Sequence, residues 1–247
     1  PAMVWLESPT NPLLKVIDLR KVCAAAAAAD VPVVVDNTFA TALVQRPLQL
    51  GATLSLTSTT KYINGHSDAL GGAVCTDDPI WHQKMVFAQK ALGLQPSPFD
   101  CWLITRGIKT LPLRLKQQIA NAAALADHLA GHARVNWVRY PHRPDHPQQA
   151  MAMQQMRSGG AMVTIGVEAS RDLAYQVCKA LRWFTMAESL GGVESLICHP
   201  ATMTHASVST EVKTKLGISD GLIRLSVGCE DVSDLIDDLD QALGVLR

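Results

Sequence analysis

Residues 31–36 (VPVVVD) restrict the fold of this chain more than any other segment. They form an uninterrupted apolar run that ends in a carboxylate, which is the pattern of a strand buried on both faces. Both faces of a sheet are covered when helices flank parallel strands, as in α/β proteins. We therefore expect a parallel sheet sandwiched by helices in this part of the chain.

The neighbouring segments follow the alternation that such a sheet requires. Residues 17–29 contain an alanine block and predict a helix, and residues 47–50 predict a short helix closed by Gly51. Further strands are predicted at 54–57 and 71–75. Helices and strands thus alternate, as expected for an α/β domain.

The second half of the chain changes character. An amphipathic helix at 79–92 and a long helical tract from about 99 to 129 lead into it. The strands that follow are predicted at 135–138, 161–167 and 222–227, and the helices at 170–181, 210–216 and 231–246. This pattern is typical of a smaller α+β domain, and we place the boundary between residues 119 and 120.

Composition argues against several classes of partner. Lysine and arginine together number 22, as do aspartate and glutamate, so no net field attracts nucleic acid or an anionic membrane. No apolar run approaches the ~20 residues of a membrane-spanning helix, and the first residues do not resemble a signal peptide.

Six cysteines without a C-x-x-C pair predict reduced, mostly buried thiols in a cytoplasmic protein. His142 and His146 lie in a proline-rich segment that predicts a solvated loop, and we expect no metal site.

Polar side chains follow three apolar segments, and Lys61 ends one of them. Ligands collect outside the carboxyl ends of parallel strands, so these ends predict a common site. An ammonium at the end of a buried strand loses hydration unless it is paired, deprotonated or covalently bonded. Ser58 and Thr60 add hydroxyls that suit a phosphate. The combination indicates a Schiff-base lysine for pyridoxal phosphate (PLP), and the alternative is an ordinary strand exit.

Three other side chains have both a structural and a chemical interpretation. Asp36 is either a cap or turn residue, or the carboxylate that holds the protonated pyridine nitrogen of PLP. Asn11 either closes a turn before proline or donates to the ring oxygen of the cofactor. Arg224 lies among apolar residues and either forms a salt bridge at a sheet edge or binds a substrate carboxylate with its planar fork of donors. The glycine-rich residues 186–195 are either a loop or a backbone that approaches a ligand closely.

Five segments occur together and in a fixed order along the chain. They are residues 7–12 (ESPTNP), 36–38 (DNT), 58–68 (STTKYINGHSD), 188–195 (ESLGGVES) and 224–231 (RLSVGCED). In these segments the chain resembles the PLP-dependent cystathionine γ-synthase and γ-lyase family of transsulfuration enzymes, and the resemblance covers essentially the whole chain. It implies an α/β protein of the aspartate-aminotransferase-like architecture, fold type I. Residues 1–119 would then be the C-terminal part of the large PLP-binding domain, and residues 120–247 the small C-terminal α+β domain.

The resemblance also implies roles for single residues around the cofactor. Lys61 would form the Schiff base with PLP and then move protons, while Asp36 would pair with the pyridine nitrogen. Four more side chains would surround the cofactor: Asn11 at the ring oxygen, Thr38 against the ring face, and Ser58 and Thr60 at the phosphate.

The substrate implied by the resemblance is a small amino acid. Arg224 and Ser189 would hold its α-carboxylate, and Glu188 would lie near its distal end. The implied activity is γ-replacement on an O-acylhomoserine by cysteine, which forms cystathionine. The alternatives are γ-elimination of cystathionine to cysteine, 2-oxobutyrate and ammonia, a catalytically incomplete fragment, and a nicotinamide-binding α/β domain. No G-x-G-x-x-G follows a predicted strand, which argues against the last of these.

Family members carry a long segment before the ESPTNP motif, with residues that reach the cofactor of a neighbouring subunit. We expect this segment to be missing from the 247 residues. The resemblance further implies a homotetramer built as a dimer of dimers, with no nucleic-acid or membrane partner.

Overall fold

The structure is a computed structural model that describes residues 1–246. Its first sheet has the order β1 (Val4–Glu7), β2 (Val33–Asp36), β3 (Leu54–Ser58) and β4 (Gly72–Cys75). The strands β1, β2 and β3 are parallel, whereas β4 pairs with β3 in the antiparallel direction. The prediction of a parallel sheet is therefore confirmed for three strands, and the fourth departs from it.

Burial explains why β2 lies inside this sheet. Val33, Val34 and Val35 are 2%, 3% and 0% exposed, as expected for a strand covered on both faces. Helix α1 (Leu19–Ala27) packs on one face, where its Leu19 joins Val33 and Val35 in one apolar cluster. This packing fixes the carboxyl end of β2, where Asp36 lies.

The predicted long helical tract is wrong in one respect, because it is interrupted. Helix α2 (Thr41–Val44) and helix α3 (Pro79–Leu92) are followed by α4 (Pro98–Ile108) and α5 (Leu111–Ala130). Pro112 lies in the first turn of α5 and has no N–H to donate to the Ile108 carbonyl, so the tract breaks between the two helices. Helix α5 then runs continuously through residues 119 and 120.

The second sheet contains two strands that sequence reasoning missed. Its strands are β5 (Val135–Arg139), β6 (Met162–Val167), β7 (Thr185–Met186), β8 (Leu196–Cys198) and β9 (Leu222–Ser226), and their spatial order is β5-β6-β9-β8-β7. Its helices are α6 (Gln149–Gln155), α7 (Arg171–Ala180), α8 (Thr210–Leu216) and α9 (Val232–Leu243). The strands β7 and β8 are too short for a periodic pattern to be visible, and helix α6 was also not predicted.

The main core lies around the second sheet and α5. Leu125, Leu129, Ile223 and Leu239 are at most 1% exposed in one apolar cluster that reaches Phe39 of the first half. Within residues 1–246, no helix is both long and apolar enough to cross a membrane.

Two expectations about polar side chains need correction. His146 is 4% exposed and its Nε2 lies 3.1 Å from the Leu14 carbonyl oxygen, so its segment is not a solvated loop throughout. The expected burial of the cysteines applies to only part of the set, because Cys75 and Cys101 are exposed.

Candidate active site

The carboxyl ends of β1, β2 and β3 form one edge of the first sheet. Glu7 lies opposite Asp36 in the register of β1 and β2. Asp36 Oδ1 accepts from the Thr38 backbone N–H at 2.9 Å, and Thr38 Oγ1 accepts from the Ser58 N–H at 2.9 Å. These bonds tie the end of β2 to the end of β3, so the structure brings together the side chains predicted there.

Lys61 lies in an irregular helical turn, Thr59–Ile63, that directly follows β3. Its backbone departs from helical geometry, with φ −88° and ψ −126°. The side chain is half-buried, and its Nζ donates to Ser189 Oγ at 3.1 Å. Burial and the nearby Arg224 charge lower the pKa of Lys61. A lowered pKa increases the fraction of neutral amine, which is the nucleophilic form.

Arg224 lies in the centre of β9 and is 1% exposed. Its Nη1 donates to Asn11 Oδ1 at 2.9 Å, and its Nη2 donates to the backbone carbonyls of Glu188 and Ser189 at 2.9 and 3.2 Å. Among residues 1–246 no carboxylate oxygen lies within 4.0 Å of this guanidinium, and its Nε has no hydrogen-bond partner. A salt bridge at a sheet edge is therefore not what holds Arg224. Burial lowers the pKa of the guanidinium.

These contacts place residues from distant parts of the sequence at one site. Asn11 and Lys61 come from the first half of the chain, while Ser189 and Arg224 come from the second. Three of the five guanidinium N–H groups of Arg224 are used in the bonds described, so two remain, of which Nε–H is buried. A buried cation with unused donors and only neutral partners is suited to bind an anion.

Three predicted side chains have contacts that the sequence did not indicate. The Thr60 hydroxyl accepts from the Gly71 N–H at 3.0 Å and lies 3.3 Å from the Gly71 carbonyl oxygen. Ser58 Oγ makes no hydrogen bond within residues 1–246, so its hydroxyl is the freer of the two. The Glu188 side chain is exposed, and the contact with Arg224 is made by its backbone carbonyl.

Sequence reasoning placed Glu7 at one of the polar strand ends but gave it no role in this site. Burial raises the pKa of its carboxyl group, partly offset by a hydrogen bond from the Asn11 N–H at 3.3 Å. Its position at the end of β1, beside Asp36, could have been inferred from the parallel register.

A chain of hydrogen-bonded amides beside Asp36 was also missed. Gln155 Nε2 donates to Gln45 Oε1 at 3.0 Å, and Gln45 Nε2 donates to Asn37 Oδ1 and to the Ser8 carbonyl at 2.9 and 2.8 Å. No sequence motif indicates this contact, because Gln45 and Gln155 are separated by 110 residues.

The side chains present fit PLP. A half-buried amine with a lowered pKa follows β3, and a carboxylate with one oxygen held by a backbone N–H ends the neighbouring strand. The free hydroxyl of Ser58 lies three residues before the lysine and suits a phosphate oxygen. Lys61 would hold the aldehyde carbon, Asp36 the pyridine nitrogen and Ser58 the phosphate.

Known proteins that resemble this chain also point to a PLP-dependent enzyme. Cystathionine gamma-synthase from Mycobacterium tuberculosis is 48% identical over 242 residues, which are 98% of this chain and 62% of that protein. Cystathionine gamma-lyase from Dictyostelium discoideum is also 48% identical, over 98% of this chain and 62% of that protein. The crystal structure of cystathionine gamma synthase from Xanthomonas oryzae pv. oryzae with aminoacrylate and cysteine superposes with a TM-score of 0.96 and 49% identity, over 99% of this chain and 63% of that one.

The chain thus spans a little over three-fifths of the length of the relatives that it matches. The architecture of those neighbours, the PLP-dependent fold type I, is the one predicted from the sequence. Residues 1–244 match the family described as Cys/Met metabolism PLP-dependent enzyme, and the chain belongs to this family.

Proposed function

We propose that this chain is the part of a PLP-dependent transsulfuration enzyme that carries the reactive lysine and the seat for the substrate carboxylate, and that the enzyme is a cystathionine γ-synthase. The reaction replaces the acyloxy group at Cγ of an O-acylhomoserine by the sulfur of cysteine, and it releases a carboxylic acid. The observation that carries the proposal is the Arg224 guanidinium, which is buried, has no carboxylate partner within residues 1–246, and contacts the backbone of Ser189, the residue that holds Lys61 Nζ.

Arg224 selects the substrate class. A permanently charged, planar guanidinium binds a carboxylate in a fixed orientation, so the α-carboxylate of an amino acid would lie beside Lys61. The Asn11 amide oxygen accepts from Nη1 and keeps the guanidinium in place. Burial of the guanidinium excludes water, which strengthens its attraction for the carboxylate.

Lys61 is the group that moves protons. PLP supplies the electron-withdrawing ring, which makes the protons at Cα and Cβ of a bound amino acid acidic. Because burial lowers the pKa of Lys61, a larger fraction of its amine is neutral and can accept such a proton, and it returns the proton once the new bond at Cγ has formed. Asp36, at the end of the neighbouring strand, supplies the negative charge that keeps the ring nitrogen protonated.

Two relatives at similar identity are a γ-synthase and a γ-lyase, so the second candidate is γ-elimination of cystathionine to cysteine, 2-oxobutyrate and ammonia. The synthase is preferred because the superposed structure at a TM-score of 0.96 is a synthase that holds cysteine.

For the assembly we propose a homotetramer, a dimer of dimers, in the cytoplasm, with small amino acids as the only substrates. The exposed apolar side chains of α3 and α4 support an interface between copies.

The purified protein should be incubated with PLP and an O-acylhomoserine, with and without cysteine, and separately with cystathionine. Cystathionine formation that requires cysteine supports the synthase, and 2-oxobutyrate from cystathionine supports the lyase. Borohydride reduction followed by peptide mapping should place the pyridoxyl group on Lys61, and Lys61→Arg should remove it while Lys21→Arg does not. Label on another lysine contradicts the site, and label on Lys61 without either product identifies a catalytically incomplete fragment.

A further inference from the structure

Arg114 is a buried arginine that none of the steps above uses. It lies in the first turns of α5 and is 7% exposed. Its Nη1 donates to the Tyr62 carbonyl at 3.0 Å, and its Nη2 donates to the carbonyls of Ile63 and Gly107 at 3.3 and 2.9 Å. Its Nε donates to Thr110 Oγ1 at 3.1 Å. One side chain therefore joins the two residues that follow Lys61 to the junction between α4 and α5.

The partners of Arg114 are unusual for a buried cation. No carboxylate lies within 4.0 Å of it in the described part of the chain, and its hydrogen bonds go to carbonyls and one hydroxyl. Removing a charge from water is costly, and a well-packed apolar side chain often stabilises a fold equally well. The guanidinium has a property that an apolar side chain lacks, because its planar set of donors fixes several carbonyls in one arrangement.

The turn that carries Lys61 is packed tightly on both sides. A Cβ atom on Gly65 would lie 2.0 Å from Arg114 Nη1, and one on Gly107 would lie 2.2 Å from the Asn64 carbonyl oxygen. On the opposite side Gly191 has φ +80°, and a Cβ there would lie 2.7 Å from the Tyr62 nitrogen. These contacts leave the turn little room to shift unless the arginine or the glycines change.

Helix α5 also holds the loop that meets Lys61 from the other side. Gln118, one turn after Arg114, donates from Nε2 to the Gly192 carbonyl at 2.6 Å. This carbonyl lies three residues after Ser189, whose hydroxyl accepts from Lys61 Nζ. One helix thus contacts both the residues that follow the lysine and the loop that carries the partner of its amine.

We propose that Arg114 is a positioning residue, which fixes the turn Thr59–Ile63 so that Lys61 Nζ stays at Ser189 beside Arg224, where the cofactor aldehyde must meet it. This inference rests on the proposed role of Lys61. The hydrogen bonds of Arg114 go to none of the side chains that would hold the cofactor or the substrate, so it acts through the backbone of the residues that follow the lysine. If it only stabilised the fold, its loss would lower stability without changing the behaviour of Lys61.

Arg114→Lys tests the proposal, because it keeps the charge and removes the planar donors. PLP affinity should be measured by fluorescence titration, and the reactivity of Lys61 in the apoprotein by competitive acylation across pH with mass spectrometry. We expect the Kd for PLP to rise by about ten- to a hundredfold, because the amine of Lys61 would be displaced from its position for reaction with the cofactor. We also expect the labelling midpoint of Lys61, the pH at which labelling is half-maximal, to rise, because a loosened turn lets water reach the ammonium. Added guanidinium ion should partly reverse both effects in Arg114→Ala.

The matched control is Arg143→Lys, which changes another largely buried arginine, paired with Asp127 and Asp145 away from Lys61. The proposal is overturned if Arg114→Lys lowers the melting temperature as Arg143→Lys does but leaves the Kd and the labelling midpoint as in the parent. If the Arg114 variants do not fold, Thr110→Val, which removes one acceptor, decides by the same two measurements. A parent that carries no pyridoxyl group on Lys61 contradicts the proposed function, while the labelling midpoint still decides the role of Arg114.

Discussion

The apolar residues of α3 and α4 and those of α5 have opposite environments. On α3 and α4, Phe87, Phe99 and Trp102 are 72%, 66% and 58% exposed, whereas Leu125 and Leu129 of α5 are fully buried. An apolar pattern therefore predicts that a helix face will be covered, and it does not say by what. The buried face is covered by the second sheet and α9 of the same chain. The exposed face is apolar, as is typical of a surface that another protein covers. We propose that a second copy of this chain covers it.

The largest expected effect sharpens this comparison. Leu125→Ala should lower the free energy of unfolding by about 2–5 kcal/mol, because it leaves a cavity in the main core. The matched control is Leu94→Ala, a leucine that is 73% exposed, which should cost less than about 0.5 kcal/mol in the isolated chain. Urea denaturation measures both, and equal costs would show that the surface around Leu94 is already covered within one chain.

The two halves should also divide the chemistry between them. Asp36→Asn, in the first half, should lower kcat by roughly 10²–10³, because a neutral amide would no longer keep the ring nitrogen of the cofactor protonated, and an unprotonated ring accepts negative charge less readily. Arg224→Gln, in the second half, should raise KM for the amino acid about thirtyfold or more, the loss of a buried charge contact of at least about 2 kcal/mol. Steady-state kinetics with PLP occupancy measured in parallel separates the two. An Arg224 variant that loses PLP while keeping its KM would contradict the division.

The exposed face gives a prediction about assembly. Phe99→Lys with Trp102→Lys should weaken association between copies, because each ammonium would lose its hydration inside the interface. Sedimentation velocity should show a smaller species, with the circular dichroism of the parent. The control is Lys84→Ala on α3, which should leave the association state unchanged. Unchanged association in the double variant would show that α3 and α4 do not form the interface.

The smallest expected effect concerns the pH dependence of stability in the first half. Burial raises the pKa of Glu7 in the folded chain above its usual 4.5, so the folded state keeps a proton that the unfolded state releases. The resulting stabilisation is complete below pH 4.5 and is lost as the pH rises through the folded pKa. Glu7→Gln should flatten this part of the stability curve in denaturation experiments at a series of pH values. A parent whose stability does not fall across this window would contradict the assignment.

The sequence predicted the parts of the site that depend on short segments. Lys61, Asp36 and Arg224 each stand at the end or centre of an apolar run, and burial of a charged group there is informative by itself. Pro112 also predicts the break before α5, but the apolar pattern continues on both sides of the break, so a continuous helical tract was predicted instead.

Contacts between distant segments could not be predicted in the same way. The hydroxyl of Thr60 accepts a hydrogen bond from the Gly71 N–H, and Arg114 donates to the Tyr62 carbonyl, although the two residues are 52 positions apart in the sequence. Strands β7 and β8 span only two and three residues, and tertiary pairing rather than propensity places them in the sheet. These features depend on which surfaces meet once the chain has folded.

The amides that join Gln155, Gln45 and Asn37 have a consequence for solution conditions. They connect the two halves of the chain beside Asp36 without any formal charge. Added salt screens exposed charge pairs such as Lys215 with Glu211, but it leaves hydrogen bonds between neutral amides almost unaffected. The junction nearest the cofactor should therefore keep its geometry from dilute buffer to concentrated salt, while the periphery of the second half loosens.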